Sequence, residues 1–245
     1  MLNKIEMHDR MVSHHILDYY EASEDETNKR IFERCHKYSR CDEIEEFSLE
    51  FPEEFPGQQY MGADPIVRRF QQLMLQSIKA KNVLEIGTFV GASTMSMASS
   101  IGEDGRVWSI EKYDRFAKIA RKNFEKNGVK NITLLEGDAF EILQTSLHSA
   151  GGGGVALPAS FDFIFLDGNK EHYADYFEIL WDFLRVGGIL MVDDGLFQGD
   201  ILNDVPTTQK GQGVLRFLES VRVKDKAFPV LLPLGVGIGF VLKQG

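Results

Sequence analysis

An apolar run that leads into two glycines constrains the fold of this chain more than any other segment. The sequence VLEI at residues 83–86 is typical of a parallel strand that is buried on both faces. Gly87 and Gly91 follow, and glycine allows a sharp turn and a close approach of the backbone to a ligand. Glu111 ends the next apolar run, where a carboxylate of a doubly wound fold accepts hydrogen bonds from a ribose. This pattern predicts a cofactor that contains a nucleoside, with a purely structural strand-turn-helix as the alternative.

Apolar runs of strand length alternate with helical segments over the rest of the chain. Strands are predicted at residues 83–86, 106–110, 131–136, 161–166 and 188–193, and helices at 64–78, 92–100, 114–127, 139–147, 171–185 and 210–223. Two further runs, 230–232 and 238–242, are close enough to pair as an antiparallel hairpin. This order predicts an α/β fold with a doubly wound, mostly parallel, seven-stranded sheet and a C-terminal antiparallel hairpin.

The length of 245 residues suits one α/β domain with an added segment. Residues 1–59 are predicted to form an N-terminal helical extension or lid, and residues 60–245 the α/β domain. The longest nearly apolar run, 228–242, contains prolines and glycines, so no transmembrane helix is expected.

The net charge and the cysteines indicate which partners and which cellular compartment are expected. A net charge of −10 disfavours binding to nucleic acid or to an anionic membrane. Cys35 and Cys41 are the two cysteines, and they lack the C-x-x-C spacing. A reduced, cytoplasmic protein is therefore expected.

Three aspartates directly follow two of the predicted strands. Asp167 comes after the run at 161–166, and Asp193 and Asp194 come after the run at 189–192. In an open α/β sheet, ligands bind beyond the carboxyl ends of the strands, so these three carboxylates are expected to converge there. Neighbouring carboxylates repel one another unless a cation lies between them, and oxygen ligands favour Mg²⁺, Mn²⁺ or Ca²⁺. The alternative is that the aspartates cap turns and helices.

Lys170 lies three residues after Asp167. An ammonium beside a bound cation is penalised, so the pKa of Lys170 is expected to fall toward the range of a general base. The alternative is a solvated surface lysine, which is the usual environment of this residue type.

From about residue 60 to residue 243 the chain resembles the class I S-adenosylmethionine (SAM)-dependent O-methyltransferases. It is most similar to the cation-dependent catechol and caffeoyl-CoA O-methyltransferases. The motifs that carry the resemblance are Met61, VLEIGT at 83–88, Glu111, EGDA at 136–139, LDGNK at 166–170 and VDD at 192–194. The resemblance implies a Rossmann-like methyltransferase domain over 60–245, with SAM and a divalent cation (Mg²⁺, Mn²⁺ or Ca²⁺) as cofactors.

The resemblance also implies a role for individual residues. Those implied to bind SAM are Met61, Glu85, Gly87, Thr88, Gly91, Ser93, Glu111, Asp138, Ala139 and Asp167. Those implied to bind the metal are Asp167, Asp193 and Asp194, and Lys170 is implied to be the catalytic base. Glu111 is expected at the ribose, Asp138 beside the adenine and Met61 near the sulfonium.

The implied reaction is methyl transfer to a hydroxyl of a catechol-like or other vicinal-diol small molecule. A homodimer is also expected, with contacts through the N-terminal helices and the final hairpin. The family usually has Asn where this chain has Asp194, and a consecutive Asp-Asp also resembles metal-dependent sugar O-methyltransferases of natural-product biosynthesis. A sugar hydroxyl is therefore an alternative acceptor, and a hydroxylated uridine in tRNA is another. A non-catalytic SAM-binding protein is the alternative outside the enzyme class.

Overall fold

The computed structural model describes residues 24–44, 46–52, 65–148 and 157–245. Met61, the predicted helix start at Asp64, the glycine run 151–154 and the predicted division between residues 59 and 60 lie outside the described residues. In the described part of the chain, none of the helices combines the length and the apolar character that crossing a bilayer requires.

The described residues form helices and strands in regular alternation. The helices are α1 (Glu24–Tyr38), α2 (Pro65–Ser77), α3 (Ala92–Ile101), α4 (Asp114–Lys126), α5 (Ala139–His148), α6 (Tyr173–Phe183) and α7 (Gln209–Val223). The strands are β1 (Asn82–Ile86), β2 (Arg106–Glu111), β3 (Ile132–Glu136), β4 (Phe161–Leu166), β5 (Leu184–Val192), β6 (Ala227–Leu232) and β7 (Ile238–Lys243).

The strands form one sheet in the order β3-β2-β1-β4-β5-β7-β6. Strands β1 to β5 pair in parallel, whereas β7 is antiparallel to both β5 and β6. The predicted seven-stranded α/β sheet with its C-terminal antiparallel hairpin is therefore confirmed. Helix α1 and residues 46–52 lie within the predicted N-terminal extension.

Apolar layers cover both faces of the sheet, which explains the nearly continuous apolar runs of its central strands. Leu84 and Ile86 pack into one buried cluster together with residues of α6 and α7. Val83 and Phe163 pack into a second cluster together with residues of α2 and α3. Because successive side chains of a strand point to opposite faces, a strand covered on both sides needs apolar residues at nearly every position.

The start of β5 corrects the sequence prediction. The predicted helix over 171–185 ends at Phe183, and β5 begins at Leu184 instead of residue 188. Leu184 is 2% exposed and pairs with Phe161, before the register shifts between Phe161 and Phe163. The Nε of Arg185 donates to the carboxylate of Asp162 at 2.5 Å. Burial of Leu184 and this ion pair hold the chain extended ahead of Gly187 and Gly188.

The carboxyl ends of five strands lie at one level, joined by hydrogen bonds that continue past the strands. The N–H groups of residues that follow a strand donate to carbonyls of the neighbouring strand: Gly137 to Glu111 (2.9 Å), Gly87 to Ile110 (3.0 Å), Asp167 to Ile86 (2.9 Å) and Asp193 to Leu166 (3.0 Å). These bonds bring the loops after β1, β3, β4 and β5 to one edge of the sheet.

Substituting Gly91 by alanine tests how tightly this edge is packed. Gly91 has a φ of +89°, and an added Cβ would overlap the ring of Phe124 in α4. Gly128 also has a positive φ, +68°, but a Cβ there would meet nothing within 4 Å. We expect Gly91→Ala to lower the free energy of unfolding by about 2–5 kcal/mol, because overpacking adds to the backbone strain.

Gly128→Ala is the matched control and is expected to cost about 1–2 kcal/mol, since it introduces the backbone strain alone. Urea denaturation of both variants gives the two values. Equal losses would show that the contact between the glycine position and Phe124 is not tight.

Candidate active site

Three carboxylates meet at the carboxyl ends of β4 and β5. Asp167, Asp193 and Asp194 each offer an oxygen atom, and these atoms all lie within 4.8 Å of one another. Asp193 and Asp194 are buried, at 6% and 7% exposure. Asp194 has a φ of +57°, and its N–H donates to the carboxylate of Asp193 at 2.8 Å. The donor set consists of oxygen atoms alone, which fits Mg²⁺, Mn²⁺ or Ca²⁺.

Lys170 faces this carboxylate cluster from the short turn that follows β4. Its Nζ lies 2.6 Å from an oxygen of Asp167 and 3.1 Å from an oxygen of Asp194. Three carboxylates and one ammonium leave a formal charge of −2, which a divalent cation would balance. The structure thus brings together all four residues that the sequence singled out for the metal and for the base.

The pKa of Lys170 responds to two opposing effects. Burial lowers the pKa of this ammonium, but the charges of Asp167 and Asp194 raise it well above its ordinary value. A divalent cation among the carboxylates would cancel much of that stabilisation of the ammonium. The expected fall in the pKa of Lys170 therefore depends on the cation and stays a prediction.

Tyr173 is buried next to the carboxylate cluster and supports it, a role that the sequence pattern did not reveal. Its hydroxyl donates to the carbonyl oxygens of Leu166 at 3.4 Å and of Asp193 at 3.3 Å, and so joins the ends of β4 and β5. The Nζ of Lys170 lies 5.7 Å from the centre of its ring. Burial raises the pKa of Tyr173 well above its ordinary value, so the hydroxyl remains a donor. Its place at the start of α6, three residues after Lys170, is the signal that a sequence could offer.

Residues 87–91, which we call the glycine loop, connect β1 to α3. A Cβ on Gly87 would overlap the carbonyl oxygen of Asp167, and one on Gly91 would overlap the ring of Phe124. The sequence pattern attributed both glycines to the approach of a ligand. The structure adds a packing reason for each, since the neighbouring strand end and α4 leave no room for a side chain.

Glu85 lies beneath the glycine loop with 0% exposure. Its carboxylate accepts hydrogen bonds from the hydroxyls of Ser93 (2.5 Å), Thr94 and Ser109 (2.5 Å). Thr88 extends this network through a 2.5 Å contact between its hydroxyl and that of Ser109. Burial raises the pKa of Glu85 to about 7, and the three hydroxyl donors oppose that rise.

Glu85, Thr88 and Ser93 thus form one network that fixes the start of α3 against β1 and β2. Full burial of Glu85 and the 2% exposure of Thr88 indicate that these two residues support the glycine loop from within. Thr94 and Ser109 complete the network and were not predicted. The signal in the sequence is a serine inside the apolar run of β2, where a buried hydroxyl needs a partner.

Glu111 turns its carboxylate toward the glycine loop. One of its oxygens accepts the N–H of Phe89 at 2.8 Å, and the other accepts the N–H of Tyr113 at 2.9 Å. Burial raises the pKa of Glu111, and these backbone N–H groups oppose the rise. Phe89 has a φ of +51°, a conformation that this hydrogen bond helps to hold.

Asp138 and Ala139 lie at the start of α5, beyond the end of β3. Asp138 accepts the N–H of Phe140 at 2.9 Å and the ammonium of Lys112, also at 2.9 Å. The hydrogen bond from Lys112 lowers the pKa of Asp138. Because Lys112 directly follows Glu111, this ion pair joins the loops after β2 and β3. Ala139 is 5% exposed, and Met61 lies outside the described residues.

The sheet order and the antiparallel final hairpin are those of the Rossmann-like methyltransferase fold. Residues 52–244 match the family model described as O-methyltransferase, and the chain belongs to that family.

Curated relatives and solved structures agree with this assignment. The chain is 31% identical over 162 residues to a catechol O-methyltransferase of Niastella koreensis, covering 66% of this chain and 70% of that protein. It is 29% identical over 187 residues to a caffeoyl-CoA O-methyltransferase of Stellaria longipes, covering 74% and 76%. The O-methyltransferase TomG of Streptomyces achromogenes, involved in tomaymycin synthesis and solved with SAM, is 27% identical with a TM-score of 0.67, covering 78% and 84%. The chain is a SAM-dependent O-methyltransferase.

The raised pKa of the buried Glu85 carboxyl implies that the free energy of unfolding depends on pH. Its folded-state pKa of about 7 lies above the ordinary value of 4.5, so the folded protein holds this proton more tightly than the unfolded chain does. The resulting stabilisation is fully present below pH 4.5 and is lost as the pH rises through 7. We expect the stability advantage of the wild type over Glu85→Gln to shrink by about 2–3 kcal/mol between pH 5 and pH 8.

Urea denaturation of both proteins at several pH values measures this change, and other titrating groups cancel in the comparison. A difference between wild type and variant that stays constant over this pH range would contradict the raised pKa of Glu85.

Proposed function

We propose that this O-methyltransferase methylates one hydroxyl of a vicinal diol on a small, catechol-like molecule, with a divalent cation held by Asp167, Asp193 and Asp194. The observation that carries this proposal is the cluster of three carboxylates with Lys170 at its edge. Relatives named catechol and caffeoyl-CoA O-methyltransferase support the class of acceptor.

In this proposal SAM lies along the carboxyl edge of the sheet, over the glycine loop. Glu111 accepts hydrogen bonds from the ribose hydroxyls, as the acid at the end of the second strand does in doubly wound folds. Asp138 and Ala139 lie beside the adenine. Ser93, held by Glu85, fixes the first turn of α3 beneath the methionine part. The predicted contacts of Met61 and Asp167 with SAM belong to the same proposal.

A divalent cation in the carboxylate cluster would act as a Lewis acid and lower the pKa of an acceptor hydroxyl. The chain itself contributes orientation and a proton acceptor. Lys170, as the neutral amine, takes the hydroxyl proton on Nζ, and the oxygen then bonds to the methyl group that SAM gives up. Tyr173 holds the strand ends and the amine in place beneath the acceptor. Such positioning is a large part of the rate enhancement that enzymes provide.

We also propose that the enzyme is a cytoplasmic homodimer that acts on small molecules and not on nucleic acid or membranes. The net charge of −10 supports the choice of a small acceptor. The outer strand β6 exposes Phe228, Val230 and Leu231 at 40–54%, which supports the predicted use of the final hairpin in the dimer.

Removal of the metal tests the proposed mechanism. We expect labelled SAM to methylate a catechol or a caffeoyl ester in the presence of Mg²⁺, EDTA to abolish the transfer, and added Mg²⁺ to restore it.

Asp193→Asn is expected to weaken Mn²⁺ binding by about tenfold, as measured by calorimetry, because it removes one charged ligand. Asp204→Asn, an exposed aspartate of the loop after β5, is the matched control and is expected to bind Mn²⁺ like the wild type.

Two outcomes would change the proposal. Methyl transfer that survives EDTA would contradict the metal-dependent mechanism. Transfer to a glycoside but not to a catechol would assign a sugar hydroxyl as the acceptor, which is the alternative that the consecutive aspartates favour.

Replacing Lys170 by methionine tests the proposed base. We expect Lys170→Met to lower turnover at pH 7.5 by about a hundredfold or more, because the variant has no group that accepts the hydroxyl proton. Binding of S-adenosylhomocysteine (SAH), measured by calorimetry, is expected to stay within about threefold of the wild-type value, since Lys170 belongs to the acceptor side of the site.

Lys118→Met is the matched control, because Lys118 also forms an ion pair with a nearby aspartate, Asp114 at 2.7 Å, but on the exposed face of α4. Its turnover is expected to match that of the wild type. A Lys170→Met enzyme that keeps a third or more of the turnover would refute the assignment of the base.

A further inference from the structure

Residues 46–52, which we call the strap, lie along α4 and are held by two asparagine side chains. The side chain of Asn127 accepts the N–H of Ser48 at 2.9 Å and donates to the carbonyl of Ser48 at 3.2 Å. Asn123 makes the same pair of bonds with Glu50, at 2.8 and 3.1 Å. Two residues of extended chain span about 6.6 Å, and four residues of a helix about 6 Å, so the two spacings match.

The two asparagines differ in the second hydrogen of their amide groups. The Nδ2 of Asn123 also donates to the carbonyl of Val90 in the glycine loop, at 2.9 Å. The Nδ2 of Asn127, the residue directly after α4, instead donates to the carbonyl of Asn123 at 2.7 Å. Asn123 therefore joins the strap to the glycine loop, whereas Asn127 joins the strap to α4 alone. Asn123 is 0% exposed, so water cannot replace its bonds.

Aromatic contacts connect the strap to the same loop independently of Asn123. The ring of Phe51 lies 6.5 Å from the ring of Phe89, which in turn lies 5.1 Å from that of Phe116 in α4. The N–H of Phe89 donates to Glu111. The ring of Phe124, the residue after Asn123, closes the space beside Gly91. Three consecutive residues of the glycine loop, 89–91, thus contact either the strap or the part of α4 that holds it.

We propose that Asn123 is a positioning residue for SAM. By holding the carbonyl of Val90 and the backbone of Glu50 with one side chain, it keeps the glycine loop in its binding conformation before SAM arrives. A loop that is ordered in advance costs less to bind, so the ligand binds more tightly. This inference rests on the proposed function in one respect, the assignment of the glycine loop and Glu111 to SAM.

Binding of SAH to the full-length enzyme tests the inference without an acceptor or a metal. We expect Asn123→Ala to raise the Kd for SAH by about tenfold, because the buried carbonyl of Val90 loses its partner and the loop loses its support. Asn127→Ala is the matched control: it removes a strap contact of the same kind but leaves the loop contact intact. Its Kd is expected to rise by less than about threefold, and both variants are expected to lower the Tm. Equal Kd values for the two variants would overturn the inference.

A second variant of the same shape keeps the test decisive if Asn123→Ala does not fold. Asn123→Asp keeps the shape of the side chain and the acceptor for the N–H of Glu50, but it loses the donors to the carbonyls of Val90 and Glu50. We expect its Kd for SAH to rise by about tenfold as well. An Asn123→Asp enzyme that binds SAH as tightly as the wild type would overturn the role of the bond to Val90.

Glu111→Ala separates failure of this inference from failure of the proposed function. Loss of SAH affinity in Glu111→Ala, together with equal affinities of the two asparagine variants, would reject the role of Asn123 alone. Unchanged SAH affinity in Glu111→Ala would instead reject the assignment of this edge of the sheet to the cofactor, and with it the inference.

Discussion

The parallel register of the central strands determines where every polar group of the site lies. Ile86 pairs with Ile110 on one side and with Leu166 on the other, and Leu166 pairs with Val192. The residues that follow these strands therefore start from one level, and their side chains lie at the same edge of the sheet. A slip of one residue would turn each side chain to the opposite face. The glycine at position 87 belongs to this constraint, because the neighbouring strand end occupies the space of a side chain.

The acids at this edge are stabilised in different ways, and the difference separates their roles. The carboxylate of Glu85 accepts hydrogen bonds from hydroxyl groups. These neutral donors only partly offset the effect of burial, so the pKa of Glu85 is raised to about 7. Glu111 receives backbone N–H groups, whereas Asp138 receives the ammonium of Lys112, which lowers its pKa. Among the three clustered aspartates, Asp167 and Asp194 share the ammonium of Lys170, so most of the negative charge of the cluster remains for a ligand to balance. A divalent cation is the partner that these charges favour.

Much of the fold and of the acidic edge could be predicted from the sequence, because the signals are local. Continuous apolar runs mark the buried strands, and an aspartate directly after a run must lie at the strand end. The predicted start of β5 was wrong, because the burial of Leu184 depends on its pairing with Phe161 and not on its neighbours in the sequence. The bonds of Asn123 and Asn127 to the strap join residues 73 and 79 positions apart, and no pattern in one sequence reveals such contacts.

In the proposed function, the site has two halves that are built on different supports. The proposed cofactor half rests on α4, whose Asn123 and Phe124 hold the glycine loop by buried contacts. The proposed acceptor half rests on turns, in which Asp194, Phe197 and Gln198 all have a positive φ. Loops tolerate changes of sequence more readily than the strands they connect, so the acceptor side can vary while the sheet stays the same. Because α4 holds both the glycine loop and the strap, a change in α4 affects both segments. This division allows one fold to keep SAM in a fixed place while the loops after β4 and β5 adapt to different acceptors.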